Sequence, residues 1–402
     1  MSENKHLPEH LKQMQSLPLS AKEKMSKDRI KVWYDAWWRY EIFNEKTKKT
    51  RFTTFDNRNN EEPPMKETEY IVAVETGSVY VSFSGGKDST VLADLCAKVC
   101  KQYGYKLYLL FVNTGLEYPE IQKFVKEFAE WLQDTYGIEV QLDIVRPEMR
   151  FDEVVKNYGY PIISKEVAQS VYEARKNDET GKYTYRLKKL RGEAVKKDGS
   201  PSAYNIPQYG YLLDVPFNIS HKCCDVMKKK PAKQYEKETG RMPMMATMAS
   251  ESRLRYTKWM RFGCNAFDQN RPTSQPLSFW TEQDILHYIK RYDLPYCSVY
   301  GDIRIKPHGE DENQLDLIDY LGCYAPDDAL TTTGCKRTGC IFCMFGCHME
   351  KEPNRFQRLK ETHPRQYNYC INGGEMVDGK WQPNKEGLGI GKVLDYIGVE
   401  YE

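Results

Sequence analysis

Two groups of residues in this 402-residue chain have the types and spacing to do chemistry. The first is Ser84-Gly85-Gly86-Lys87-Asp88-Ser89, directly behind the apolar run Val79-Tyr80-Val81-Ser82-Phe83. That order predicts a buried strand, a glycine turn and the first turn of a helix. Adjacent glycines allow φ > 0 and let backbone approach a ligand with no Cβ in the way. The N–H groups that open the helix have no partner inside it and face an anion. Lys87 adds a mobile positive charge, and Ser84 and Ser89 add hydroxyl donors, so the stretch reads as a phosphate cradle. It is not the common nucleotide loop, G-x-x-x-x-G-K-S/T, which has four residues between its glycines. An exposed helix terminus stabilises an anion by only about 0.3–1 kcal/mol. Tight nucleotide binding therefore calls for several amides, Lys87 and Mg2+ acting together.

The second group is the cysteines, 12 in all. Cys223-Cys224 comes first, and Cys335, Cys340, Cys343 and Cys347 follow far downstream. In a reducing compartment such clustering points to metal or redox chemistry more than to disulfides. Adjacent cysteines seldom both ligate one tetrahedral zinc, because neighbouring side chains diverge. A cuboidal 4Fe-4S cluster offers separate iron corners and accommodates a Cys-Cys pair. A 4Fe-4S cluster is the leading expectation, with Zn2+ and metal-free thiols as alternatives. Cys96 and Cys100, four apart in a helical pattern with Leu92, Leu95 and Val99, read as core. Cys264, Cys297, Cys323 and Cys370 are isolated and carry no strong message.

These groups need a scaffold. From 70 to about 170, apolar runs alternate with helical patterns: a strand at 79–83 and its helix, a strand at 106–112, a helix at 119–133, and a strand at 138–145. Val125, Phe128 and Leu132 share one face of the second helix. The β-α-β-α-β order predicts an α/β fold, a doubly wound, Rossmann-like parallel sheet with its ligand site beyond the strands' carboxyl ends. The loop at 84–89 and Asn113-Thr-Gly115-Leu-Glu117 lie at that edge. Residues 244–249 read as a further buried strand. Glu251-Ser252-x-x-Arg255 follows, where Arg255 can pair with phosphate or sulfate oxygens. Thr281-Glu-Gln-Asp284 has the spacing of a helix N-cap, and His287 in that helix reads as structural.

Upstream, residues 30–43 carry aromatics at 33, 34, 37, 38 and 40, which fit a helix with one broad apolar face. Residues 176–212 read as an insertion, with Lys182, Arg186, Lys188, Lys189, Arg191, Lys196 and Lys197 facing little acid and Tyr183 and Tyr185 interleaved. A solvated, mobile loop is the plain reading; a basic lid for an anionic substrate, DNA or RNA included, is the sharper one. The expected organisation is an N-terminal helical, aromatic arm over 1–69, a nucleotide-binding domain over 70–300 that carries the insertion, and a Cys-rich region over 301–402 that completes the metal site.

Composition narrows the function classes. An apolar content of 40% suffices for a core, and a net charge of +2 argues against a uniformly basic nucleic-acid binder. No run of about 18 apolar residues is present, so no membrane span is expected. The N-terminus lacks the apolar core of a signal peptide. A cytoplasmic protein is expected.

In this order the motifs resemble the phosphoadenylyl-sulfate (PAPS) reductase family of the adenine-nucleotide α-hydrolase superfamily, over roughly residues 75–350. The resemblance rests on Ser84 to Ser89, on Phe111-Val-Asn113-Thr-Gly115 with Glu120, on Gly159-Tyr-Pro-Ile-Ile-Ser-Lys165, and on Glu251-Ser-x-x-Arg255. It implies a nucleotide held by Ser84, Gly85, Gly86, Lys87, Asp88, Ser89, Asn113, Gly115, Lys165, Glu251 and Arg255. The Cys-Cys…Cys-x-x-Cys arrangement is similar to the family's iron–sulfur branch, which implies Cys223, Cys224, Cys340 and Cys343 as cluster ligands and places Lys228 near cluster and substrate. Cys335 and Cys347 have no counterpart in that pattern. Two departures stand out. Asn113 occupies a position that is usually Asp, and the family's C-terminal Glu-Cys-Gly nucleophile is not found.

Without that thiol, sulfonucleotide reduction has no obvious first step. The combination resembles the reductase-like ATP pyrophosphatases of sulfur insertion, which act in DNA phosphorothioation and tRNA thiolation. That likeness implies adenylylation of an acceptor by ATP, with Lys87, Asp88, Arg255 and Lys228 as catalytic residues. A sulfur donor or a thioredoxin-like protein is then the expected partner. A sulfonucleotide reductase using Cys335, Cys347 or Cys370 is the runner-up, and a nucleotide-binding scaffold with a structural cluster is the third reading.

Overall fold

The computed structural model describes residues 5–178, 181–306 and 329–402, and Cys323 lies outside them. The chain divides into two compact units: Met1–Asn113 with Tyr118–Val145 and Ala232–Thr338, and Thr114–Glu117 with Arg146–Pro231 and Gly339–Glu402.

The first unit is built on a six-stranded sheet with the order Val140–Val145, Leu107–Val112, Val79–Ser82, Met242–Met244, Thr273–Ser274, Asn265–Ala266. Every neighbouring pair is parallel except the last. Buried parallel strands read as continuous apolar runs, and Leu107 to Phe111 is buried throughout. From Val79–Ser82 the chain steps outward through Leu107–Val112 to Val140–Val145. It then returns to the other side of Val79–Ser82 at Met242–Met244. Strand order reverses there, and open α/β sheets seat their ligands in the crevice beyond such a reversal. The expected α/β fold and parallel sheet are what the chain forms.

The flanking helices follow the sequence pattern closely. Lys87–Tyr103 buries Leu92, Leu95, Cys96, Val99 and Cys100, so the two cysteines are core residues as expected. Pro119–Tyr136 buries Val125, Phe128 and Leu132 from one face. Thr281 caps the helix Glu282–Arg291 by accepting the Asp284 N–H.

Three local expectations change. Only the front of the aromatic stretch 30–43 is helical, within Leu19–Ala36; Trp37–Asn44 is the middle strand of an antiparallel sheet with Lys49–Asp56 and Glu69–Thr76. Tyr40 and Ile42 are buried in alternation there. Ladder partners on both sides favour extended chain over the helical spacing of the aromatics. The run 244–249 is not one strand. Pairing covers Met242–Met244, whose outer partner Thr273–Ser274 is only two residues long, and a 3-10 turn follows at Ala249–Glu251.

The third change is the insertion, which is folded and belongs to the second unit. The helix Lys165–Asp178 is followed by Tyr185–Arg191, which is capped by Thr184 and closed by left-handed Gly192. Leu187, Leu190 and Leu212 are buried. The Arg175 guanidinium donates to the carbonyls of Leu212, Leu213, Val215 and Phe217. A solvated loop would have neither a core nor such a clamp. Elsewhere in this unit Ile162–Ile163 pairs in parallel with Met344–Phe345. Among the described residues no helix is long and apolar enough to cross a membrane.

Candidate nucleotide loop and thiol centre

The glycine turn has the geometry its sequence calls for. Gly85 sits at φ +70°, and a Cβ there would lie 2.8 Å from Val125 Cγ2. A Cβ on Gly86 would lie 2.9 Å from Thr338 Oγ1, so a side chain there must push that hydroxyl aside. Gly86 is the N-cap of Lys87–Tyr103 with no side-chain cap. Ser84 and Ser89 brace the turn: their hydroxyls are 3.1 Å apart, and Ser89 Oγ donates to the Gly86 carbonyl at 2.8 Å.

Lys87 differs from the mobile cation pictured from sequence. Its side chain is 4% exposed, with Nζ donating to the Lys336 carbonyl at 2.9 Å and lying 3.0 Å from Glu282 and 3.7 Å from Asp88. The Lys87 amide donates to the Tyr300 hydroxyl at 3.0 Å, and that hydroxyl lies 2.8 Å from Thr338 Oγ1. The loop is therefore roofed by Tyr300, Lys336 and Thr338.

Asp88 Oδ1 is buried and has no hydrogen-bond donor among the described residues. Burial raises the Asp88 carboxyl above its usual range; Lys87 opposes this, and Glu251 and Glu282 add to it. Mg2+ takes one or two carboxylates together with substrate phosphates, and a carboxylate oxygen with no hydrogen-bond donor, 3.7 Å from the Lys87 ammonium, fits that habit. Glu251 accepts the Met248 N–H at 2.8 Å and pairs with both Arg255 and Arg337. Ser252 caps the helix Arg253–Phe262 by accepting the Arg255 N–H. The Arg255 side chain is 41% exposed, leaving donors for an anion. Asn113 donates its N–H to the Val145 carbonyl and lies at the end of its strand.

The second unit gathers the four cysteines. Cys223, Cys224, Cys340 and Cys343 line one enclosed cavity of about 20 Å3 together with Lys228, Leu116, Phe151 and Phe342. Cys223 Sγ donates to Cys224 Sγ at 4.0 Å, at the head of a π turn over Asp225–Lys229. A tight turn closes Cys340 to Cys343, whose carbonyl accepts from Arg355 at 2.8 Å. The strand pair beside it holds Ile163 at φ +61°, a left-handed conformation that a β-branched residue takes only under constraint. Lys165 begins the next helix two residues on. Gly115 is also left-handed, and Glu117 accepts the Thr114 N–H and hydroxyl.

The charges in this cavity are unequal. The hydrogen bond it gives to Cys224, with burial, pushes the Cys223 thiol well up. Receiving that bond draws Cys224 down against burial, with help from Lys165 and Lys228. Burial pushes Cys340 up to about 11, with Lys228 opposing. For Lys228 burial disfavours the charge, but Cys340 and Glu117 outweigh it and raise its pKa.

Among the described residues no group of three or more His, Cys, Asp or Glu side chains is gathered as a single-ion site. Four thiols lining one apolar cavity are a donor set that suits a cuboidal cluster, with each thiolate on its own iron, or a tetrahedral zinc. Cys347 is elsewhere, donating its S–H to the Met344 carbonyl at 3.0 Å; burial pushes it up to about 12. Cys370 is wholly buried, and Cys335, in the first unit, lies 3.6 Å from the Tyr118 hydroxyl.

Sequence reasoning missed Tyr300, Glu282, Arg337 and Arg355. Tyr300, Glu282 and Arg337 reach their partners across long stretches of chain, whereas Arg355 acts locally, on Glu350 and the Cys343 carbonyl. Thr338 lies between Cys335 and Cys340, and nothing in that stretch links it to Gly86.

A strand, a left-handed glycine turn and a helix at the reversal point of a parallel sheet define an α/β protein of the doubly wound kind. The chain belongs to the phosphoadenosine phosphosulfate reductase domain family, whose pattern matches residues 78–345. No curated protein matches it. Among solved structures it is similar to the U34-tRNA thiolase NcsA from Methanococcus maripaludis with its 4Fe-4S cluster, at 17% identity and a TM-score of 0.27. That match covers 54% of this chain and 57% of the other, little over half of each.

Proposed function

We propose that this protein is an ATP pyrophosphatase that adenylylates an acceptor for sulfur transfer, the acceptor being a nucleic acid. An acceptor oxygen attacks the α-phosphorus of ATP. The bond from that phosphorus to the bridging oxygen breaks, and pyrophosphate leaves with the bonding pair. Sulfide delivered by a sulfur donor then attacks the activated centre, and AMP departs with the bonding pair. The loop amides and Lys87 hold the β- and γ-phosphates, while Arg255 and an Mg2+ held through Asp88 stabilise charge at the α-phosphorus. Bound by Cys223, Cys224, Cys340 and Cys343, a 4Fe-4S cluster would supply a place to hold sulfur. Lys165 and Lys228 attract an anionic sulfur species toward those thiols. The cavity is water-sized, so loading it requires widening. This reading keeps the organisation into an arm over 1–69, a nucleotide-binding domain over 70–300 and a Cys-rich region over 301–402, working in the cytoplasm.

The observation that carries the proposal is the seat at Gly85 to Lys87: a left-handed glycine with no space for a Cβ, a helix start whose first amide is held by the Tyr300 hydroxyl, and a buried lysine. Family membership keeps the sulfonucleotide reductase as the second reading. That reaction needs an accessible nucleophilic thiol; Cys370 is 0% and Cys347 1% exposed, which leaves the half-buried Cys335, beside the Tyr118 hydroxyl, as its candidate. Protein purified without oxygen and supplied with acceptor should release pyrophosphate from ATP. Sulfite from adenylyl sulfate plus thioredoxin, with no pyrophosphate, would select the reductase. Nucleotide binding without turnover would select a scaffold.

A further inference from the structure

The insertion carries seven basic residues between 181 and 211 and only two acids, Glu193 and Asp198. Its fold separates two uses of them. Lys189 is buried against Glu166 at 2.7 Å, and Arg186 pairs with Glu173 at 3.2 Å. These two hold the helix Tyr185–Arg191 in place. Lys182, Lys188, Arg191, Lys196 and Lys197 are exposed and make no ion pair among the described residues.

The exposed cations are held on a shaped surface. Lys188 and Arg191 both lie over the Tyr183 ring, at 5.7 and 5.4 Å from its centre, so one flat ring is flanked by two charges. Tyr183, Tyr185 and Tyr204 are 48%, 52% and 64% exposed, unusual for rings that could pack inward. Lys196 and Lys197 sit on a tight turn in which Lys196 N–H donates to the Ser200 carbonyl at 2.8 Å. That turn is tied to the helix end by Asn205, which donates to the carbonyls of Gly192 and Ala194 at 3.0 Å. Beside Arg191 opens a cleft of about 510 Å3 lined by Arg175, Arg191, Glu193, Pro207 and Asp214. Its exposed wall is mostly polar, with donors and acceptors that suit the hydrogen-bonding edge of a base.

We infer that this face, made by Tyr183, Lys188, Arg191, Lys196 and Lys197 with the adjoining cleft, docks a single strand of nucleic acid. Cations track the backbone, and exposed rings stack bases without demanding a sequence. A duplex hides its base faces and leaves the tyrosines without a role. This rests on the proposed acceptor class and adds to it the surface and the form of the strand.

The test uses full-length protein and a fluorescein-labelled 20-nucleotide single strand, as DNA and as RNA, titrated across salt concentrations, with the matching duplex and poly-glutamate as competitors. The combined Lys188→Ala, Arg191→Ala, Lys196→Ala, Lys197→Ala variant should weaken binding and reduce the salt slope by up to about 3, at roughly 0.7 per lost contact. Tyr183→Ala should weaken single-strand binding at least about fivefold, as expected for loss of one stacked base, and leave the slope unchanged. Matching melting temperatures show that both variants are folded. Equal binding by the four-site variant, a preference for duplex that ignores Tyr183, or equal competition by poly-glutamate each overturns the inference. Pyrophosphate release measured in parallel separates the two ideas: release that persists without strand binding leaves the activation chemistry standing and removes the surface.

Discussion

Lys87 concentrates the case for nucleotide chemistry. Its ammonium is packed among a carbonyl and two carboxylates, so its position is set before any ligand arrives. A preorganised cation of this kind acts where charge develops without reorganising. Lys87→Ala should lower pyrophosphate release about 10²–10³-fold, with melting followed by circular dichroism to show that the fold survives. Unchanged release would remove the loop from the chemistry. The thiols divide as sharply. Cys340→Ser or Cys343→Ser should lose the brown absorbance and the roughly four irons per chain expected of a loaded cluster. Cys347→Ser and Cys370→Ser, whose sulfurs lie outside the cavity, should keep both. Zinc without iron in wild-type protein prepared without oxygen would refute the cluster.

The glycine turn and its roof form the next level. The Tyr300 hydroxyl takes the Lys87 amide, one of the donors that the helix start would offer a phosphate. Nucleotide binding on the proposed reading exchanges one acceptor for the other. Removing the hydroxyl removes the competitor, and a net hydrogen bond is worth about 0.5–1.5 kcal/mol. Tyr300→Phe should therefore bind ATP about two- to tenfold more tightly by calorimetry. Weaker binding would instead make Tyr300 a phosphate ligand. The turn itself was legible because Gly-Gly behind an apolar strand has few other uses. The roof was not, because Tyr300 and Thr338 are more than 200 residues away along the chain and reach Gly86 and Lys87 only through folding.

In the first unit, the N-terminal sheet is anchored by charge as well as by packing. Glu75, on its outer strand, accepts from the Tyr108 hydroxyl at 2.7 Å and pairs with Arg39 and Arg241, each at 3.2 Å. Burial pushes its carboxyl up, but those three partners outweigh burial and leave it below the usual 4.5. Its folded pKa lies below the unfolded one, so its contribution is present above pH 4.5 and disappears as pH falls through the folded value. Glu75→Gln should lower the melting temperature at pH 7 by the equivalent of about 1–3 kcal/mol, the cost of leaving partners unpaired. The gap from wild type should narrow below pH 4.5. A gap independent of pH would show that the carboxylate's charge is not what anchors the sheet.

Residues close in the chain could be read from their order: the strand before Gly85, the alternation of strand and helix through Val145, the core side of Pro119–Tyr136, and the Thr281 cap. Each depends on backbone geometry and spacing within a few residues. Trp37–Asn44 misled because helical spacing of aromatics says nothing about the two strands that flank it. The insertion misled because its charges conceal Leu187, Leu190 and the reach of Arg175. Which cysteines share a cavity, what covers the loop, and which lysines are spent in ion pairs depend on contacts between distant segments. Burial and charge pairing set those contacts only once the chain has closed on itself.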